Sequence, residues 1–366
     1  MLIIGTVIGA GFASGREIVA YFGQTPPPVI GLIVGIFVFL STAILLAIGL
    51  KSKASEVTEV NAFVAGSKGG SVISIVILLN SVVSLSAMLA GTDSLFSFIA
   101  PSKHLFSLIL GGLSVLVVTL GLKGLKTANL ILVPLLIGVI LSVTLSSRGE
   151  VCADKVNGYT LSASFVYTAM NMLLATGVLT TVSDLSKKQI FGVSALTGAI
   201  VGALLYAIAS ALSSTASGST DMPLITLSKA VGKPMYAIAV VCVASGIFTT
   251  MLTAHQTLTD WLNGFLGSRL LSAVISLTAC FMLSLIGFKS LVDNLYPLFG
   301  VAGALYLLLA VLKLMSPFLK SKSLPSQSGK VSLSKVLLSS SKATEKPFAK
   351  RDYKIHKPRQ NAKNNG

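Results

Sequence analysis

The sequence predicts an all-α integral membrane fold with ten transmembrane helices in a five-plus-five inverted repeat, in which helices 1 and 6 are discontinuous. Two observations lead to the membrane class. Of the 366 residues, 53% are hydrophobic and only 11% are charged. The apolar residues also form runs of about twenty, which is the length of a helix that crosses roughly 30 Å of hydrocarbon. A soluble protein of this size needs far less apolar material.

Turn signals rich in proline and glycine, such as Pro26–Pro28 and Gly69–Gly70, separate the apolar runs. The predicted spans are residues 2–23, 28–50, 72–99, 105–122, 128–147, 161–183, 190–214, 232–258, 270–288 and 290–314. They form a helical domain over residues 1–315, and a basic segment follows at 316–366. No basic stretch precedes the first apolar run, so a cleaved signal peptide is not expected.

The two halves of the domain, about residues 1–147 and 161–315, have similar layouts. In each half the longest internal loop follows the second span, at Lys51–Ser71 and Thr215–Val231. With five spans in each half, the second copy enters the membrane upside down. This inverted repeat is typical of secondary transporters.

The first span contains the most informative segment, IGTVIGAGFASGRE at Ile4–Glu17. Gly9, Ala10 and Gly11 lie near the middle of this span. A helix interrupted there leaves backbone N–H and C=O groups unpaired at bilayer depth, which is allowed only where they are buried in protein or line a cavity. The alternative is close helix packing of the GxxxG kind, because Gly11 and Gly15 are four residues apart.

The sixth span has polar and flexible residues at a similar depth. Asn171 lies near its centre, and Thr176 and Gly177 follow shortly after. The sequence therefore predicts a second interrupted helix here.

Basic residues predict the orientation of the chain. Residues 316–366 contain twelve Lys and Arg against Glu345 and Asp352, and basic ends of this kind stay in the cytoplasm. With an even number of spans, both termini are predicted to be cytoplasmic, in a plasma membrane. The tail is expected to be disordered. It is either a solvated end or a segment that contacts anionic lipid, and charge alone does not indicate nucleic-acid binding.

Enzymatic chemistry is not indicated. The cysteines and histidines have no metal-ligand or triad spacing: Cys152, Cys242, Cys280, His104, His255 and His356. Of the three cysteines, only Cys152 falls in a loop. GAGFASG reads G-x-G-x-x-x-G inside an apolar helix, which is not a dinucleotide fingerprint. The sequence predicts no enzyme, no cofactor and no nucleic-acid partner.

The segment GTVIGAGFASGRE resembles the first-helix signature of the YkvI-type bacterial membrane proteins. These belong to the amino acid–polyamine–organocation transporter superfamily, whose members have the leucine-transporter fold. The resemblance covers about residues 1–315, and the basic tail lies outside the pattern. It implies a secondary active transporter of a small zwitterionic solute such as an amino acid, working by alternating access.

The resemblance places the substrate against the interrupted helices. The implied substrate-binding residues are Gly9, Ala10, Gly11, Asn80, Tyr167 and Asn171. Free N–H groups at the start of a half-helix attract a carboxylate, and Gly11 allows close approach because it has no Cβ. For the two asparagines, hydrogen bonds between helices are an equally good explanation.

A sodium site is also implied by the resemblance, between the first and eighth helices. Its oxygen ligands are expected from Gly5, Ile8, Gly246, Thr249 and Thr250. The two threonines lie three and four residues after Gly246, on one helical face. Alternatively, each threonine hydroxyl bonds only a carbonyl of its own helix.

Charged residues inside spans are costly and are therefore functional candidates. Arg16 and Asp293 fall near the outer ends of helices 1 and 10, and the resemblance implies an extracellular gate from this pair. The alternative for Arg16 is snorkelling to the headgroups. Glu17 points away from Arg16, since adjacent helical residues diverge, and is a candidate proton carrier or part of a structural pair.

Three hypotheses for function remain at this point. The first is a transporter of a small zwitterion, coupled to Na+. The second is a proton-coupled permease. The third is a ligand-sensing membrane subunit of the same fold without net transport, as in spore-germinant receptors. The expected partners are a small-molecule substrate and the lipid bilayer.

Overall fold

A computed structural model describes residues 2–54, 56–97, 104–120, 155–180, 185–214, 220 and 222–322, together with 130, 133, 134, 137, 138 and 140–146. Contacts group the chain into two units, Met1–Pro317 and Phe318–Gly366. The predicted fifth span, 128–147, is described only in part, and the tail after residue 322 lies outside the described residues. The bounds of the two repeats stay predictions.

Each secondary-structure element with bounds in the described residues is an α-helix. The first span consists of three short helices, α1 (Leu2–Val7), α2 (Ala10–Ser14) and α3 (Arg16–Phe22). The other helices are α4 (Ile30–Ser52), α5 (Val57–Phe96), α6 (Leu105–Thr119), α7 (Gly158–Leu179), α8 (Lys187–Ser213), α9 (Pro223–Val231), α10 (Lys233–Leu266), α11 (Arg269–Ser284) and α12 (Phe288–Lys322).

Among the described residues, five helices are long and apolar enough to cross a membrane: α4, α5, α8, α10 and the Phe288–Ser316 part of α12. Helices α6 and α11 are shorter apolar helices of 15 and 16 residues. The predicted all-helical membrane class is therefore confirmed, while the exact number of ten spans stays a prediction.

Two segments predicted as internal loops contain helix. Helix α5 begins inside the predicted loop Lys51–Ser71, and its backbone turns at Gly66, where φ is +75°. Val60 and Val64, one helical turn apart, are buried in the core. In the second half, α9 fills the end of the predicted loop Thr215–Val231. The first turns of α5 are partly polar and α9 has only 9 residues, so mean hydropathy does not detect helix in these two segments.

The first span is interrupted twice. Between α1 and α2, Gly9 has an extended backbone with φ −91° and ψ −172°. Between α2 and α3, Gly15 has φ +79°, a left-handed conformation that glycine adopts without steric cost. The Gly15 N–H donates to Phe12 O at 3.1 Å, and Gly15 O accepts from Val19 N at 3.2 Å. The second interruption, at Gly15, is not among the sequence-based predictions.

The interruption predicted for the sixth span is not present within Gly158–Leu179, where α7 is continuous. The polar side chains of this helix bond to its own carbonyl groups. Asn171 Nδ2 donates to Tyr167 O at 3.1 Å, and the Thr176 and Thr180 hydroxyls donate to carbonyls four residues earlier. Such bonds let polar side chains sit inside a helix without breaking it.

Helices α4 and α8 pack against each other through glycines. A Cβ on Gly31 would lie 2.5 Å from Gly202 O, and a Cβ on Gly198 would lie 2.6 Å from Gly35 O. In a membrane, small residues of this kind allow the close backbone approach on which helix association depends. These glycines therefore set the distance between the second span and the seventh.

Gly198→Ala is expected to lower the melting temperature of the detergent-solubilised protein, because the added Cβ forces two backbones apart at a cost of roughly 1–3 kcal/mol. Gly192→Ala is the matched control on the same helix, since nothing lies within 4 Å of a Cβ there. It is expected to raise stability by about 0.5–1 kcal/mol through helix propensity. Shifts of the same sign in thermal unfolding would contradict this account of the contact.

Candidate functional site

The interruption at Gly9 lies against α10. A Cβ on Gly9 would be 2.3 Å from Thr250 Oγ1, so this hydroxyl occupies the space that a side chain would need. Gly5 and Ile8, just before the interruption, are buried, as is Thr249. Helices α1 and α2 both contact α10. The structure thus brings together the two elements from which the sodium ligands are predicted, while sodium binding stays a prediction.

The oxygen atoms at this place fit a hard monovalent cation. Thr249 Oγ1 donates to Gly246 O at 3.0 Å, so its proton is used by its own helix, as the alternative interpretation expects. A hydroxyl oxygen that donates one hydrogen bond keeps lone pairs to accept or coordinate. Carbonyl and hydroxyl oxygens are ligands of the kind that hard cations prefer.

Gly11 lies under the Glu17 carboxyl group. A Cβ on Gly11 would be 2.0 Å from Glu17 Oε1 and 2.3 Å from Glu17 Cδ. Gly11 is predicted to allow close approach of a substrate carboxylate because it has no Cβ. In the structure Glu17 fills the space that a Gly11 side chain would need, while substrate binding at Gly11 stays a prediction. The side chain of Ala10 lies outside the described residues.

Glu17 itself is 4% exposed and interacts with tyrosines from three helices. These are Tyr21 on α3, Tyr167 on α7 and Tyr296 on α12. The Tyr21 and Tyr167 rings meet edge to face with centroids 5.3 Å apart. The Tyr167 hydroxyl interacts with the Glu17 carboxyl group, but Glu17 Oε2 and the hydroxyls of Tyr21 and Tyr167 lack a partner at full hydrogen-bonding geometry within the described part of the chain.

The two predicted asparagines differ in their surroundings. Asn171 bonds the Tyr167 carbonyl within α7, which is neither a ligand contact nor a bond between helices. Asn80 on α5 is fully buried, and neither Nδ2 nor Oδ1 has a hydrogen-bond partner among the described atoms. It lies one turn before Ser84, whose side chain interacts with Tyr296. Asn80 is therefore on the helix face that leads to the tyrosines.

Arg16 and Asp293 form an ion pair, and the resemblance implies that this pair is an extracellular gate. Arg16 Nε donates to Asp293 Oδ1 at 3.0 Å, and Arg16 Nη2 donates to Asp293 Oδ2. The guanidinium group also donates from Nη1 to Thr220 O at 3.2 Å. The Arg16 side chain is 6% exposed and that of Asp293 is 28% exposed. The pair is partly buried and does not snorkel, while its role as a gate stays a prediction.

Sequence reasoning missed Tyr21, Tyr296 and the Thr220 carbonyl. Tyrosine in an apolar span is easily assigned to the core, so the first two were not singled out. The signal was their spacing, since Tyr21 is four residues after Glu17 and Tyr296 is three after Asp293, which places each pair on one helix face.

The remaining sulfur and imidazole groups lie elsewhere. Cys242 and Cys280 are buried, as predicted, and Cys152 lies outside the described residues. His255 is enclosed between Ser114 Oγ at 2.8 Å and Ala273 O at 2.9 Å. Among the described residues, no group of three or more His, Cys, Asp or Glu side chains could hold a metal ion.

Asp293→Asn is expected to destabilise the protein by on the order of 3 kcal/mol, because it leaves the buried Arg16 guanidinium without its anionic partner. Asp260→Asn is the matched control. Asp260 pairs with Arg269 at 2.8 Å, where the side chains are 48% and 29% exposed, and an exposed pair contributes about 0–1 kcal/mol.

Thermal unfolding of both variants measures the difference, and a charge-swapped Arg16→Asp/Asp293→Arg protein tests the pairing itself. Equal melting temperatures for the two single variants, together with no recovery in the swapped protein, would count against the pair.

No known protein-family model matches the sequence. The membrane protein YkvI of Bacillus subtilis (strain 168) is 30% identical over 320 residues, which cover 81% of this chain and 90% of YkvI. The protein YyaD of the same strain is 26% identical over 325 residues, which cover 85% of this chain and 94% of YyaD.

Three solved structures are similar in fold. MhsT in complex with L-phenylalanine has a TM-score of 0.64 at 14% identity, over 84% of this chain and 87% of MhsT. Mhp1, a nucleobase-cation-symport-1 family transporter in a closed conformation with bromovinylhydantoin bound, has a TM-score of 0.59 at 15% identity, over 87% of this chain and 78% of Mhp1. A manganese transporter of Eremococcus coleocola has a TM-score of 0.57 at 13% identity, over 89% of this chain and 87% of that transporter. The chain therefore belongs to the family of the membrane protein YkvI and has the leucine-transporter fold.

Proposed function

We propose that this protein is a secondary active transporter of a small zwitterionic solute such as an amino acid, working by alternating access. The observation that carries the proposal is the double interruption of the first span at Gly9 and Gly15. It brings two charged side chains, Arg16 and Glu17, into the protein interior. Charges within a span are costly and mark transport pathways, and interrupted helices form the central sites of many secondary transporters.

The chemistry of the site narrows the substrate class. The named neighbours bind an amino acid, a hydantoin and manganese. A manganese site needs several carboxylate, carbonyl or imidazole ligands, and within the described residues no group of His, Cys, Asp and Glu side chains meets that need. A buried carboxyl group surrounded by tyrosines suits an organic solute with an amino group better.

In the proposed cycle, the Arg16–Asp293 pair is the gate on the side predicted to be extracellular. It joins α3 to α12 and also holds the Thr220 carbonyl. In this proposal, the observed contact between Arg16 and Asp293 is the closed state of the gate. Opening requires the bidentate contact to separate, and water then replaces the lost hydrogen bonds.

Coupling to sodium is proposed at the Gly9–Thr250 contact. The support is the close approach of the first-span interruption to α10, with only neutral oxygen atoms offered there. A proton-coupled permease is the second candidate, because Glu17 is a buried carboxyl group. A carboxyl group in that position can carry a proton across the membrane.

The orientation of the protein and the role of residues 316–366 belong to the same proposal. We place both termini in the cytoplasm because of the basic tail. The tail is either solvated or in contact with anionic lipid. Binding of the full-length protein, but not of a protein ending at residue 322, to anionic vesicles at low salt would favour the second.

The deciding experiment is uptake of a mixed panel of radiolabelled amino acids by purified protein in liposomes. It is run with a sodium gradient, with a proton gradient and with neither. Gly11→Leu is the blocked control, because its side chain would overlap Glu17. Gradient-driven accumulation that this variant loses supports the transporter. Saturable binding without flux would favour a ligand-sensing membrane subunit.

Thr250→Val is expected to lower sodium-driven uptake at limiting sodium about tenfold, a loss of ~1.4 kcal/mol, because a hydroxyl ligand becomes a methyl group. Thr278→Val is the matched control, since the Thr278 hydroxyl is exposed on α11 and bonds only Val274 O among the described contacts. The measurement is the sodium dependence of initial uptake rates. Unchanged sodium dependence in the Thr250 variant would remove the sodium site from the proposal.

A further inference from the structure

Glu17 is surrounded by more aromatic and polar side chains than a residue that only carries a proton requires. Tyr21, Tyr167 and Tyr296 interact with its carboxyl group from three different helices. All three side chains are buried, with exposed fractions of 4%, 1% and 2%. We call these four residues the tyrosine cage. It combines one carboxyl group with aromatic rings and phenol hydroxyls in a site closed from solvent.

The described residues place no basic side chain in the cage. Arg16 is adjacent in sequence, but its guanidinium group lies on Asp293 and the Thr220 carbonyl. The groups that interact with Glu17 are the tyrosines. Every described lysine is exposed or half-buried, and Arg269 is half-buried against Asp260. The carboxylate therefore has no counter-ion from the described part of the chain.

Although the Tyr167 hydroxyl interacts with the Glu17 carboxyl group, several polar atoms of the cage lack a partner at full hydrogen-bonding geometry among the described residues. These are Glu17 Oε2 and the hydroxyl groups of Tyr21 and Tyr167. Asn80, which lies on the α5 face leading to Tyr296, adds an amide with both polar atoms unpartnered. Buried polar atoms in proteins are nearly always hydrogen-bonded, so a cluster of exceptions around one carboxyl group indicates that a ligand supplies the partners.

We propose that the tyrosine cage binds the ammonium group of the substrate, with Glu17 as its counter-ion. An ammonium group donates hydrogen bonds in several directions, which suits a carboxylate oxygen and phenol oxygens. It is also attracted to the faces of tyrosine rings. This inference rests on the proposed function for the location of the solute, and it adds which end of the solute the cage recognises.

The same geometry determines which end of the bound solute faces Glu17. Glu17 fills the space above Gly11, so a substrate carboxylate placed there would meet another carboxylate at close range in a medium of low dielectric constant. The cationic end of the solute therefore faces α2 and α3, and any carboxylate lies on the far side. An amine without a carboxylate fits the cage, whereas a solute whose amino group is acylated does not.

Ligand binding to the solubilised full-length protein tests this assignment directly. The probes are L-leucine and L-phenylalanine, the amines isoamylamine and phenethylamine, and the N-acetyl derivatives of both amino acids. Binding is measured as the shift in melting temperature across a titration. We expect the amino acids and the amines to bind and the N-acetyl compounds not to bind.

Glu17→Gln is expected to weaken binding of the ammonium-bearing probes at least about tenfold, which is ~1.4 kcal/mol. Glu56→Gln is the matched control, since it makes the same chemical change at an exposed carboxylate. Glu17→Asp keeps the charge on a shorter side chain and is expected to lose less affinity than Glu17→Gln. This second variant keeps the test informative if the amide variant folds poorly.

The outcomes separate this inference from the proposed function. Binding that depends on Glu17, without uptake in liposomes, overturns the transporter and keeps the ammonium site. Uptake or binding of N-acetyl compounds, unchanged affinity in Glu17→Gln, or no binding of any ammonium-bearing probe overturns the ammonium site. Normal binding by Glu17→Gln with loss of proton-driven uptake alone would make Glu17 a proton carrier, and that also overturns it.

Discussion

The hydrocarbon core of a membrane offers no hydrogen-bond partners, so each interruption and each charge of the first span must be satisfied by other helices. The rest of the described domain is arranged around this requirement. Helix α10 meets the interruption at Gly9, α12 supplies Asp293 to Arg16, and α7 and α12 supply tyrosines to Glu17. The interrupted first span thus determines where the uninterrupted helices meet.

Glycine has a particular use in this arrangement. At Gly9 and Gly11 the missing side chain gives room to a functional side chain of the same protein, the Thr250 hydroxyl in one case and the Glu17 carboxyl group in the other. The glycines of α4 and α8 instead allow two backbones to touch. Gly15 and Gly66 use the conformational freedom of glycine, through their positive φ. One residue type therefore serves three physical purposes, and spacing alone does not distinguish them.

Hydropathy was sufficient to locate α4, α8, α10 and α12, because a long apolar run has few alternatives to a spanning helix. The pairing of Arg16 with Asp293 was implied by the resemblance to the YkvI-type proteins, and the structure shows the contact. The expected break in α7 failed because hydroxyl and amide side chains bond the carbonyls of their own helix, and a sequence does not show which partner such a side chain takes. Tyr21 and Tyr296 were missed because their rings resemble those of core residues until a neighbouring carboxylate is known.

Arg16 and Glu17 are consecutive residues on the short helix α3, yet they serve different partners, because adjacent helical side chains point apart. The ion pair with Asp293 and the tyrosine cage therefore both involve one short helix that begins after the left-handed Gly15. In the proposed cycle, neutralising Glu17 with the substrate cation removes the cost of holding its charge in the closed protein. Because Arg16 and Glu17 both lie on α3, a movement of α3 in this cycle displaces both side chains together. Binding of the substrate cation and closure of the proposed gate then depend on the same movement, which is the coupling that alternating access requires.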